Sequence, residues 1–354
     1  MSINSKLFFD NLLDEKVKAA VSDPATRVIM VLGGADTGKT TFIEQLISLL
    51  AKRAKVGVVD LDVGQSHIGP PTTLAWGLWE GEFAGWEAIE PLGIYFTGST
   101  SPSGNLLPCL AGAKAITDQA KKAALKVIID TTGLIDEGGG RALKEHKVEM
   151  IQPNLILALQ KGDEIEHILR SFKGMKALKV MRLPVSKEAR QKTAPGRVNY
   201  REEKFRKYFE GGGTIEVFWE EVGLRNTFIG RKEEPAGISL LELEKYLGCE
   251  VVSVGKQWET LFVVYRGRYD KNGIEPVKSL CRVSGLILRD VDYFLNRLVG
   301  LVDGAGRHRT LGIVEDIDYG DGRMSIFSPI DQRVPIGCVI FGKHKITRDG
   351  YQIE

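Results

Sequence analysis

An α/β fold is predicted, in which a P-loop NTPase parallel sheet with crossover helices is followed by a smaller, mostly β C-terminal domain. Three observations predict it. Short apolar runs recur through the first half of the chain, each long enough for one buried strand. The first of them leads directly into a glycine-rich loop and then a helical stripe. Beyond the tripled glycine at 211–213 the pattern changes to β-rich runs separated by turn residues.

Taken in order, residues 7–20 mix apolar and charged side chains at helical spacing, and Pro24 closes that stretch, so residues 1–26 are read as an N-terminal helical segment. The run VIMVL at 28–32 reads as a buried strand. After the loop, Ile43, Leu46, Ile47 and Leu50 fall at i, i+3, i+4 and i+7, the stripe of a helix packed on a sheet. Further strands are expected at 56–60 (VGVVD), 126–130 (KVIID), 155–159 (LILAL) and 178–182 (LKVMR). In such a sheet the ligand crevice lies at the carboxyl ends of the strands, where Gly33, Asp60, Asp130 and Gln160 stand.

Residues 186–209 then turn basic, with Lys187, Arg190, Lys192, Arg197, Arg201, Lys204, Arg206 and Lys207, and Pro195-Gly196 divides them into two expected short helices with a joint. The P-loop domain is therefore drawn over 27–212, with an arginine-rich lid at 186–209. A β-rich domain over 213–354 has strands expected at 214–219, 259–265, 311–317, 323–327 and 338–341.

Composition adds bounds rather than a function. A chain of 354 residues exceeds the usual size of one core, so two domains are expected. A net charge of +2 leaves nucleic-acid binding open, because a local basic groove can sit inside a balanced total. The four cysteines, Cys109, Cys249, Cys281 and Cys338, form no C-x-x-C pair, which argues against a zinc knuckle. No apolar run approaches the ~20 residues that span a bilayer, so no membrane association and a soluble, cytoplasmic location are expected.

The sequence GGADTGKT fits G-x-x-x-x-G-K-[ST] in the strand–loop–helix context that gives the pattern meaning. It predicts ATP and Mg²⁺ binding. Gly33, Gly34, Ala35, Asp36, Thr37 and Gly38 supply the phosphate-cradling backbone, Lys39 bridges the β- and γ-phosphates, Thr40 offers its hydroxyl to Mg²⁺, and Thr41 completes the set. DLDVGQS at 60–66 puts Asp60 and Asp62 at the same sheet edge, on alternating sides. A carboxylate there can hold Mg²⁺ or take the proton of an attacking hydroxyl.

DTTG at 130–133 reads as a γ-phosphate sensor, as a clasp on an incoming substrate strand, or as an ordinary turn. QKGD at 160–163 is a poor match to a guanine-reading loop and reads better as a turn. The basic stretch is either a mobile lid over phosphates or a solvated face. The five histidines, His67 among them, are scattered without ligand spacing and receive no chemistry, while Trp76, Trp79 and Trp86 are candidates for base stacking or for the core.

The order of these motifs resembles the P-loop polynucleotide 5′-hydroxyl kinases related to the pre-mRNA cleavage-complex kinase and the nucleolar rRNA-processing kinase. The matches are GGADTGKTT at 33, DLDVGQS at 60, PLGIYFTGSTSP at 91, DTTGL at 130, SKEAR with REEKFRKYFEG between 186 and 211, and LGIVEDIDYGDGRMSIFSP from 311. The resemblance implies transfer of the γ-phosphate of ATP to the 5′-hydroxyl end of RNA or DNA, single-stranded or duplex, with protein partners in RNA processing.

The resemblance also implies roles. Asp62 is the base and, with Thr40 and Asp60, a metal residue; Gln65, Thr100, Ser101, Thr132, Gly133 and Leu134 lie near the terminal nucleotide; Arg190 and Arg201 are lid arginines, with Arg206 a further one. Leu134 departs from the tryptophan of some relatives, and 32 residues precede Gly33 where eukaryotic relatives carry a further domain that helps hold adenine. A P-loop GTPase and a non-catalytic ATP-binding scaffold are the alternatives.

Overall fold

The computed structural model describes residues 12–185, 193–230, 238–330 and 334–353. The chain forms two compact units, divided between Tyr208 and Phe209.

The first unit opens on helix α1 (Glu15–Ser22), whose N-cap Asp14 accepts from Val17 N at 2.8 Å. Strand β1 (Val28–Gly33), helix α2 (Lys39–Leu50) and strand β2 (Val56–Leu61) then give the expected strand–loop–helix–strand unit. There follow β3 (Thr73–Trp79), β4 (Gly93–Phe96), α3 (Leu106–Ala123), β5 (Lys126–Thr131), α4 (Gly139–Ile151), β6 (Leu155–Gln160), α5 (Glu166–Leu169), β7 (Lys179–Pro184) and α6 (Ala194–Phe209).

The sheet order is β4-β3-β2-β5-β1-β6-β7. The five strands read from the sequence, β1, β2, β5, β6 and β7, are mutually parallel, and β3 and β4 add an antiparallel edge. Because side chains alternate along a strand, β1 serves two cores at once. Ile29 and Val31 pack with Phe42, Ile43 and Leu46 on one face; Val28, Met30 and Leu32 pack with Ile116, Ala120 and Val148 on the other. That double burial is why the parallel strands read as continuous apolar runs.

Trp76 lies buried in β3, and Trp86 is buried with its indole N–H donating to Glu44 Oε1 at 2.8 Å, so these rings belong to the core rather than to a base platform. Pro195-Gly196 stands in the first turn of helix α6, where the missing proline N–H has no intrahelical partner to lose, and the preceding part of the expected lid, 186–192, lies outside the described residues.

In the second unit, β8 (Gly213–Phe218), β9 (Gly223–Arg225), α7 (Leu240–Leu247), β10 (Glu250–Gln257), β11 (Thr260–Arg266), α8 (Ile274–Leu280), β12 (Gly285–Asp290), β13 (Arg297–Asp303), β14 (His308–Asp318), β15 (Arg323–Ser328), β16 (Ile336–Ile346) and β17 (Gln352–Ile353) follow in turn. One sheet runs β17-β16-β13-β14-β15-β8 with β9 on β16, and a three-stranded sheet runs β10-β11-β12. The strands β9, β10, β12, β13 and β17 and the helices α7 and α8 were not expected.

Candidate active site

The loop between β1 and α2 is folded on itself. Thr37 Oγ1 donates to Gly34 O at 3.0 Å, and Lys39 Nζ donates to the same carbonyl at 2.6 Å. Burial pushes the Lys39 ammonium below its ordinary range, against the pull of Asp130, Asp62, Asp36 and Glu164.

Three further segments close on this loop. A Cβ at Gly133 would stand 2.6 Å from the Ala35 backbone, so the DTTG turn is pressed directly onto the phosphate loop. A Cβ at Gly64 would stand 2.7 Å from Thr100 O, which joins the Asp-containing loop to the segment after β4. From α6, Arg197 Nη2 donates to Asp36 Oδ2 at 2.8 Å, Tyr200 Oη to Ser66 O at 2.9 Å and Lys204 Nζ to His67 O at 3.1 Å. These residues lie on one face at i, i+3 and i+7.

The two acids of DLDVGQS differ sharply. Asp60 is fully buried, and its carboxylate accepts from the backbone N–H groups of Asp62, His67 and Ile68 and from Ser66 Oγ. These bonds make Asp60 a bracket for the loop. Asp62 is half-buried; its Oδ1 accepts from Gly64 N at 3.0 Å and Gln65 N at 3.1 Å, and no described residue donates to Oδ2. Burial pushes Asp60 up, as it does Asp130, which rises to about 7 with the charge of Asp60 adding to the effect.

Of the remaining expected residues, Gln65 Nε2 donates to Gly64 O at 3.2 Å, and Ser101 Oγ accepts from Ser103 N at 3.2 Å. Thr132 is buried, its carbonyl taken by the buried Lys144 ammonium, and Leu134 beside it is half-buried. Thr41 is half-buried in the first turn of α2. Arg201 is half-buried on α6 and Arg206 exposed on it, and the arginine bonded to the phosphate loop is Arg197. Arg190 lies outside the described residues. The QKGD segment is a turn: Gln160 Nε2 donates to Glu166 Oε1 at 2.8 Å, away from any base-reading role.

Sequence reasoning missed His67. Its Nε2 is 3.5 Å from Thr40 Oγ1 and its ring centre 4.9 Å from that of Trp86. The only signal was its place directly after the GQS tripeptide.

Mg²⁺ takes oxygen ligands, commonly one or two carboxylates plus phosphates and water. The Thr40 hydroxyl and the unclaimed Asp62 oxygen are of that kind. Among the described residues no three His, Cys, Asp or Glu side chains converge, and such a cation does not require it. Among them, too, no helix is long and apolar enough to cross a membrane.

Known proteins are similar along nearly the whole chain. The family model described as the mRNA cleavage and polyadenylation factor CLP1 P-loop matches residues 33–211. The polyribonucleotide 5′-hydroxyl-kinase of Pyrococcus furiosus is 34% identical, covering 92% of this chain and 89% of its own. That of Methanocaldococcus jannaschii is 32% identical, covering 92% and 88%. Among solved structures, Clp1p in its complex with Pcf11p shares the fold at a TM-score of 0.61 and 12% identity, covering 98% of this chain and 82% of that one. On the match to that family model and the identity to these relatives, this chain belongs to the CLP1 P-loop family.

Proposed function

We propose that the chain is an ATP-dependent polyribonucleotide 5′-hydroxyl kinase, a phosphotransferase that moves the γ-phosphate of ATP to the 5′-OH end of RNA. The observation that carries this reading is Asp62: one carboxylate oxygen is held by two backbone N–H groups, and the other is unclaimed, with its charge felt by Lys39. A base needs that combination of fixed orientation and an open lone pair.

In this reading the substrate hydroxyl donates its proton to Asp62 Oδ2, and the oxygen attacks the γ-phosphorus in line with the leaving β-phosphate. Lys39 leaves Gly34 O for the phosphate oxygens. Arg197 exchanges Asp36 for the transferring group, and Arg190, Arg201 and Arg206 serve as the further lid arginines. Thr40 and Asp62 would hold Mg²⁺, which supplies charge neutralisation on the phosphates when bound. Asp60 keeps the loop in shape, and Gln65, Thr100, Ser101, Thr132, Gly133 and Leu134 line the approach of the terminal nucleotide.

The test is transfer of labelled γ-phosphate from ATP to a short 5′-hydroxyl RNA, with DNA in parallel and Lys39→Ala as control. Label on RNA that vanishes in the control is expected. Nucleotide binding without transfer would leave a scaffold, and tighter binding of GTP would revive the GTPase.

A further inference from the structure

The second unit carries a group of cations that the proposed chemistry does not use. Tyr293 lies in the turn Val291–Phe294 between β12 and β13. The guanidinium carbons of Arg289 and Arg297 stand 4.7 and 4.8 Å from its ring centre, and Lys345 Nζ stands 5.9 Å from it. Three cations thus share one aromatic ring.

Their placement costs the fold something. Arg297 and Lys345 are direct partners across the antiparallel pair β13–β16, and like charges so opposed weaken a sheet. Burial, and then Arg297, push the Lys345 ammonium below its ordinary range. Four other arginines of this unit have carboxylate partners: Arg266 with Glu250, Arg307 with Asp303, Arg323 with Glu216 and Arg348 with Glu315.

Among the described residues none of the three around Tyr293 has a carboxylate within ion-pair distance. Their bonds go to carbonyls instead, Arg289 to Leu288, Arg297 to Lys343 and Tyr293, and Lys345 to Asp292. The nearby acids are Asp290 and Asp292, and Asp290 Oδ1 is engaged by Asp292 N at 3.0 Å.

We propose that Arg289, Arg297 and Lys345, gathered on Tyr293, bind backbone phosphates of a polynucleotide. This rests on the substrate class proposed above, but concerns the body of the strand and not its 5′ end. Guanidinium groups held at a ring carry forked N–H donors that match phosphate oxygens, and an incoming anion relieves the repulsion between Arg297 and Lys345. Contacts of this kind are indifferent to sequence.

The experiment uses the full chain and a dye-labelled single-stranded RNA, with anisotropy read over a salt series. The double variant R289Q/K345Q leaves the carbonyl bonds of Arg297 in place, and its melting temperature checks the fold. The expected result is a Kd roughly tenfold higher at low salt and a salt slope smaller by about 0.7 for each cation removed. If the double variant melts early, R289Q alone carries the same prediction with half the change in slope, and R289K should keep the slope.

An unchanged Kd and slope in a folded variant would overturn the proposal. So would unchanged RNA affinity with weakened binding of polyglutamate, which would make the occupant an acidic protein. RNA bound but not phosphorylated by the unaltered protein would sink the kinase reading while leaving this one to the Kd. No RNA binding at all would remove both.

Discussion

In the first unit Lys39, Asp60, Asp130, Lys144 and Lys147 are all buried, whereas the described part of the second unit buries one charged side chain, Asp303, paired with Arg307 at 2.9 Å. Burying charge is expensive, and the first unit does not fully compensate it: Lys147 Nζ is buried without a hydrogen-bond partner. All five lie on or beside the strand ends where the phosphate loop, the Asp-containing loop and the DTTG turn converge. The second unit has an apolar interior and a charged surface, as a scaffold or a binding surface would. Tolerated burial of charge therefore coincides with the proposed catalytic site, and the surface of the second unit with the proposed hold on a polyanion.

The sharpest way to break that contrast is at the two acids. Asp62→Asn keeps the backbone bonds of the loop and removes the proposed base, so kcat should fall by about 10²–10⁴ while ATP still binds. Asp60→Asn leaves backbone N–H donors facing an amide and should lower the melting temperature as well. Single-turnover transfer and thermal melting separate the two. If Asp62→Asn kept most of its activity, Asp62 would not be the base.

Glycines sharpen the contrast next. At Gly133 a side chain would meet the Ala35 backbone, which cannot give without moving the phosphate loop. Gly133→Val should raise the KM for ATP by about ten- to a hundredfold, from an overpacking cost of ~1–3 kcal/mol. In the second unit a Cβ at Gly304 meets nothing within 4 Å, and Gly304→Ala should leave both KM and stability as they were. Removing the lid contact is a smaller step, since other cations share the lid: Arg197→Gln should lower kcat roughly tenfold with little change in melting. Steady-state kinetics with ATP varied at saturating RNA distinguishes these patterns.

The same contrast explains what the sequence revealed. The parallel strands were legible because burial on both faces writes an unbroken apolar run, and the phosphate loop because its glycines and lysine have few substitutes. Thr73–Trp79 and Gly93–Phe96 escaped as strands because Gly77 interrupts the first and the second is only four residues long and opens on glycine. In the second unit many strands are half-buried and paired antiparallel; Gly285–Asp290 has no fully buried residue, so its pattern carries little signal. Within the site, motif spacing located Asp60 and Asp62, but only the hydrogen bonds distinguish the bracketed acid from the one with an unclaimed oxygen. Arg197 stood in a run of eight basic residues, and nothing in that run says which one faces Asp36. His67 touches Thr40 from 27 positions away, which is a tertiary fact.

Acid should part the two units in order. In the second, burial and then the charge of Arg225 pull His308 from its usual 6.5 to about 4. Its folded value is depressed, so the neutral ring contributes stability above pH ~6.5 that is lost as pH falls through about 4. In the first, the Glu166 carboxylate, held by hydrogen bonds from Arg182 and Gln160, is drawn from 4.5 to about 2. Its contribution is intact above pH ~4.5 and fades only toward pH 2. Titrating downward, the second unit weakens while the Glu166 bridge of the first still holds. Hydrogen exchange read by peptide should show the strands around His308 opening first, between pH 6.5 and 4, and the β6–β7 edge later. His308→Phe should flatten the first transition and Glu166→Gln the second. Simultaneous opening that neither variant changes would mean that the two units unfold together in acid and that neither group governs the event.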